Sequence, residues 1–289
     1  MDYYIGILGR ALDIARSYKA LWAFGFASAL SSGISRVVTQ WSYAPPGGLP
    51  RFSIGMILFW VLLWLISAFV SYLSTGALIG MVGEVEETGT TSILNGFQVG
   101  ISRLLPLIGI SLLLFIPFFF FFCVIWTLAF ALAQALGPAA RVFWGLLCIA
   151  GGAIMSLLWQ FPNRICVIEL KGAGEALGAG FHTLRQNLGR AVVMGLLLSV
   201  AGLGGWIVVA FTDSLCGLKG LSRIYLPEGP WQLPLPTLAS GPIPAAIALV
   251  IGAVVNGLVG VFTSTAWTVM YLRLPGEREG GDAGPFEVS

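Results

Sequence analysis

Ionisable side chains vanish from long stretches of this chain. Between Leu105 and Leu136 there is no Asp, Glu, Lys, Arg or His at all. Comparable apolar runs cover Phe52–Val82, Val142–Leu170, Ala191–Phe211 and Ile243–Leu274, with a shorter one at Ala20–Ile34. A backbone inside hydrocarbon must satisfy its own polar groups, and a continuous helix does so within one segment. At 1.5 Å per residue, Phe52–Val82 is roughly 46 Å long against a hydrocarbon core of ~30 Å, so it tilts or projects beyond the core. The remaining runs also have the length of spans, the first by borrowing the preceding turn. The expected fold is therefore all-α, a polytopic membrane protein with six transmembrane helices. Composition agrees: 57% of residues are hydrophobic and 10% charged, where a soluble domain carries about 25% charged residues.

Short amphipathic segments precede every second span. They cover 3–18, 91–104 and 172–188. In the first, Tyr4, Leu8, Leu12 and Ala15 fall on one stripe, with Arg10, Asp13 and Arg16 off it. In the second, Ile93, Phe97 and Leu104 form the stripe. Apolar residues at this spacing define one face of a helix. The third runs from Gly172 to Leu188 straight into an apolar helix. Pro45-Pro46-Gly47-Gly48 marks a turn, Thr212–Pro242 is the longest loop, and the start MDYYIGILGRALDIARSYKA is amphipathic and carries acids, unlike a cleavable signal.

These joints recur. Shifting the second segment by 84 residues sets Gly96 on Gly180, Phe97 on Phe181, Leu104 on Leu188 and Ile93 on Leu177; shifting it back by 85 sets Ile93 on Leu8 and Phe97 on Leu12. The expected organisation is a single membrane domain over residues 1–274, with a threefold internal repeat at 3–82, 91–170 and 172–274. Residues 275–289 form a polar tail, expected to be disordered.

Six spans place both termini on one side, and about ten of the fifteen Lys and Arg residues fall there. The positive-inside rule makes that side the cytoplasm. All three amphipathic helices then lie at the cytoplasmic surface. Arg16, Lys19, Arg103, Arg185 and Arg190 are positioned to contact lipid headgroups while the apolar stripes enter the acyl boundary. The expected partners are membrane lipids and a membrane-protein partner. A net charge of +2 gives no footprint for nucleic acid.

Catalytic and metal signatures are missing from the sequence. Cys123, Cys148, Cys166 and Cys216 show no C-x-x-C spacing. His182 is the single histidine, on the polar side of the third amphipathic helix near Glu175 and Gln186, and neither corresponding helix has one. Gly172-Ala-Gly174 with Gly178 lacks the preceding strand and spacing of a dinucleotide loop. No catalytic residue, metal ligand or cofactor is assigned, and the protein is expected not to be an enzyme. Polar groups at membrane depth are the better guide. Asn256 lies between Gly252 and Gly260 on one helix face, for packing or substrate contact. Gln160 and Asn163 flank Pro162 near Arg164, where an amide can satisfy the carbonyl that proline frees. Ser67, Ser71 and Ser74 make a second small face.

RALDIARSYKALWAFGF at the start, ELKGAGEALGAGFHTLRQNLGRAVVMGLLL in the middle and FTSTAWTVMYLRL at the end resemble a broad group of bacterial polytopic membrane proteins. The group includes the membrane domain attached to some glycerophosphodiester phosphodiesterases, and related stand-alone proteins. The resemblance implies a helical membrane fold and a bacterial cytoplasmic membrane. The phosphodiesterase of that group lies in a separate soluble domain, so no catalytic residue carries over. The function expected first is a non-enzymatic module that binds lipid at its cytoplasmic face and scaffolds a partner or supports lipid handling. Two others stand beside it: a transporter or channel for an apolar or zwitterionic substrate, and an accessory subunit docking through the Phe118–Phe122 run.

Overall fold

The computed structural model describes residues 2–42, 54–136, 138–215 and 242–274. Among them the regular structure is entirely helical: α1 (Asp2–Ser17), α2 (Ala20–Ser42), α3 (Ile54–Thr88), α4 (Ile93–Ser102), α5 (Leu104–Leu136), α6 (Pro138–Ile168), α7 (Ala173–Gln186), α8 (Leu188–Leu215) and α9 (Pro242–Leu272). The order short, long, long occurs three times. The Pro45–Gly48 turn, most of the Thr212–Pro242 loop, Cys216 and the tail lie outside the described residues.

Most helices run past the limits read from hydropathy. α2 continues to Ser42, eight residues beyond Ile34, and α3 continues six beyond Val82 to Thr88. A helix stops where its backbone finds other partners, and falling hydropathy does not supply them. α3 ends where Gly89 adopts φ +73° and its N–H bonds the Val85 carbonyl at 3.0 Å, a left-handed cap. Among the described residues, five segments are long and apolar enough to cross a membrane: Ile57–Thr88, Leu104–Ile125, Leu146–Ile168, Leu188–Asp213 and Ala246–Leu272. They fall in α3, α5, α6, α8 and α9. The sixth expected span coincides with α2.

The chain divides into two compact units, residues 1–101 with 196–269 and residues 102–195 with 270–289. In the first, α2 packs along α3. Gly25 and Gly257 bring α2 and α9 together; a Cβ at Gly257 would lie 2.7 Å from the Phe26 ring. Gly205 of α8 faces Val255 and Val259 of α9. α4 folds back against the second half of α3: Gly100 meets the Leu73 carbonyl and Gly80 meets Val99. In the second unit α5, α6 and α7 pack together, with Gly180 of α7 against Pro162 and Gly109 of α5 against Ala173. Small residues at contact points are how helices approach closely in lipid, where burying bulk gives no advantage over leaving it in acyl chains.

The amphipathic helices follow the same logic. α1 buries Ile7, Ala11, Ile14 and Ala15, while Leu12 is 56% exposed. α4 buries Gly96 and Gly100 and turns Ile93 and Phe97 outwards. α7 buries Ala176, Gly180, Thr183 and Leu184 and exposes Phe181. Periodicity located the bulky stripe expected at the acyl boundary. It did not locate the second stripe, rich in small residues, that packs against protein.

The candidate lipid-facing joints

The joint between each short helix and its span is nearly continuous. The Leu21 N–H bonds the Tyr18 carbonyl at 3.1 Å, Leu107 bonds Arg103 at 3.0 Å, and Ala191 bonds Asn187 at 2.9 Å. In the first two joints a side chain also ties the joint to the turn that follows a later span. The Tyr18 hydroxyl donates to the Gly89 carbonyl at 2.7 Å. Arg103 Nη1 donates to the Leu170 carbonyl at 3.2 Å. Gly89 and Leu170 are the two described residues of these turns with positive φ, +73° and +58°. Trp22 Nε1 further clamps the first joint by donating to the Ala15 carbonyl at 2.6 Å.

Acidic groups here are committed to structure. Glu86 accepts from Arg10 Nε at 2.8 Å, and this bond with its charge holds the Arg10 guanidinium above its usual pKa. Glu84 accepts from Thr91 and from the Asn95 amide, each at 2.8 Å, fixing the entry to α4. Ser92 caps that helix by accepting from the Asn95 N–H at 3.2 Å.

The five residues expected at headgroups separate by environment. Arg16, Lys19, Arg185 and Arg190 are exposed, whereas Arg103 is half-buried and bonds Leu170. Arg190 Nη1 also reaches the Asn187 carboxamide oxygen at 3.3 Å. Beside Arg185 and Arg190, Phe181 and Leu188 are 58% and 52% exposed. His182 is exposed and accepts from the Gln186 amide at 2.9 Å.

Gln160 and Asn163 do come together with Arg164 at the end of α6. Arg164 is 3% exposed, and its Nη1 donates to the Gln160 carbonyl at 2.6 Å and the Gln160 Oε1 at 2.8 Å. Asn163 is equally buried, with its Oδ1 lacking a hydrogen bond among the described residues. In the same unit the Tyr271 hydroxyl donates to Glu169, whose other oxygen pairs with Lys171 at 2.6 Å. The sequence counted Arg164 among the inner-surface cations, and its burial is new. The available signal was its i, i+4 spacing from Gln160 across Pro162.

The Gly252, Asn256 and Gly260 face is divided. Gly252 is buried, but Asn256 and Gly260 are exposed, and a Cβ at Gly260 would meet nothing within 4 Å. The close contact to α2 uses Gly257 instead. A helix turns 100° per residue, so a neighbour one position along presents a different side.

Among the described residues no group of three or more His, Cys, Asp or Glu is arranged to hold a metal. Cys123 and Cys148 are half-buried and Cys166 is buried, all as free thiols.

Among the described residues, nine helices, five of them long and apolar enough to cross a bilayer, and exposed Trp64, Leu196 and Val200 define a multi-pass helical membrane protein. The chain belongs to the family described as Domain of unknown function (DUF7847), which matches residues 7–274. No curated protein and no solved structure matches it.

Proposed function

We propose that this protein is a non-enzymatic six-span module of a bacterial cytoplasmic membrane that binds anionic phospholipid at its cytoplasmic face. In that role it scaffolds a membrane-protein partner or supports lipid handling. The observation that carries this reading is the pairing of exposed Arg185 and Arg190 with exposed Phe181 and Leu188. Cations beside outward apolar side chains match the boundary between headgroups and acyl chains. The resemblance to the membrane domain attached to glycerophosphodiester phosphodiesterases supports a lipid-associated role. The sixth span is α2, and both termini are cytoplasmic.

The threefold repeat belongs to the same proposal. Ala11, Gly96 and Gly180 occupy aligned positions and all are buried, while aligned Leu12, Phe97 and Phe181 are all exposed. The Tyr18–Gly89 and Arg103–Leu170 bonds occupy corresponding places in successive repeats.

The test is lipid retention by the solubilised full chain, read by native mass spectrometry from mild detergent with added phosphatidylglycerol. Each basic residue near an anionic surface contributes about 1 kcal/mol, so Arg185→Ala with Arg190→Ala should weaken retention about thirtyfold. Phosphatidylglycerol retention equal to that of the unmodified protein would sink the proposal. An accessory-subunit role is favoured by one observation: Phe115, Phe119 and Phe120 of α5 are exposed. It predicts a co-purifying membrane protein that is lost when these three are replaced by Leu.

A further inference from the structure

In the first unit a groove of ≈ 600 Å³ runs between α2, α3 and α4. Ala23, Ala27, Phe69 and Phe97 are among its lining residues, and so is Ser74. Its size lies within the ~300–1,000 Å³ of ordinary ligand sites. Ser74 is 1% exposed, and its Oγ has no hydrogen-bond partner among the described residues. The next residue, Thr75, returns its hydroxyl to the Ser71 carbonyl at 2.9 Å; Ser74 makes no such bond to Val70, which also lines the groove. A buried hydroxyl without an acceptor is costly in an apolar setting.

Ala23 and Ala27 lie one turn apart on α2, both exposed, and line the groove opposite Phe69 and Val70 of α3, so its wall is apolar over at least one helical turn.

We infer that the groove seats one acyl chain of a glycerophospholipid, with its ester carbonyl accepting from Ser74. This rests on the lipid-binding reading above and adds a site and a lipid class to it. A bare hydrocarbon would fill the groove but leave Ser74 unpaired. The ester-linked chain supplies both the dispersion contacts and the acceptor.

The full-length protein is reconstituted into vesicles of phosphatidylglycerol and phosphatidylethanolamine carrying a trace of phospholipid with a photoreactive acyl chain. Crosslinks are mapped by peptide mass spectrometry. Expected are crosslinks concentrated on peptides holding Ala23–Ala27 and Phe69–Ser74, well above those on the lipid-facing stretch Leu196–Val200. Ala23→Phe with Ala27→Phe, both exposed and facing the groove, should abolish the excess. Ser74→Ala should lower it about fivefold, and this smaller change keeps the test open if the double variant fails to fold. Labelling no greater than at Leu196–Val200 means bulk lipid only and overturns the inference, as does labelling unchanged in the Ser74 variant. Groove labelling that persists in Arg185→Ala with Arg190→Ala supports this site even where the surface contact fails. Loss of phosphatidylglycerol retention in that arginine pair without groove labelling retains the surface contact and rejects the groove.

Discussion

At single positions, the contacts that set helix spacing are made by residues with almost no side chain. A Cβ at Gly100 would sit 2.6 Å from the Leu73 backbone oxygen, which cannot move without shifting α3. Gly100→Ala is expected to cost about 1–3 kcal/mol. Gly96 faces the Met81 thioether, the flexible end of a long side chain. Gly96→Ala should cost less, under about 1 kcal/mol. Thermal unfolding in detergent distinguishes the two, and equal losses would contradict the packing described. Leu170 is the contrary case, a bulky residue at φ +58° that is 51% exposed. Left-handed backbone costs an L-residue about 1–2 kcal/mol, and the Arg103 bond to its carbonyl helps hold it there. No local pattern in the sequence marks that position.

Among the elements, the short helices carry the organisation. Their existence and order were readable because apolar residues recur at helical spacing over several turns. The side that meets protein was not, because a helix at a membrane boundary has two apolar sides, one for lipid and one for protein. Leu12 and Phe97 lie on the stripes expected to enter the acyl boundary, and both are exposed, as is the aligned Phe181. The tie from Tyr18 to Gly89 joins residues 71 apart and is invisible to any window of sequence. Tyr18→Phe should leave helix content unchanged and cost about 0.5–1.5 kcal/mol. Amide exchange at the α1–α2 joint should accelerate; exchange as slow as in the unmodified chain would show that the bond does not hold it. The Arg10–Glu86 pair is exposed on its arginine side, so its contribution is of the surface kind, about 0–1 kcal/mol.

For the molecule as a whole, the proposed orientation follows from where the cations fall. Single cysteines at Asp2, Ser92 and Gly172 should be shielded from a membrane-impermeant maleimide in right-side-out vesicles, and one at Ser42 should react, all in a background with the native cysteines replaced. The opposite pattern would reverse the topology. Shielding of all four positions would show that α2 does not cross.

Hydropathy and charge determined the all-helical membrane class and the order of the elements, and they motivated the proposed orientation. Those properties depend on single segments and their solvent: an apolar run in lipid has few alternatives to a helix. Tertiary structure decided which side of each helix meets protein. It buried Arg164 against Gln160, moved the α2–α9 contact to Gly257, and left Ser74 unpaired beside a groove. Such outcomes depend on how closely two backbones approach and on a rotation of 100° per residue. In lipid, where large apolar side chains gain little by going inside, hydrophobicity does not encode that choice.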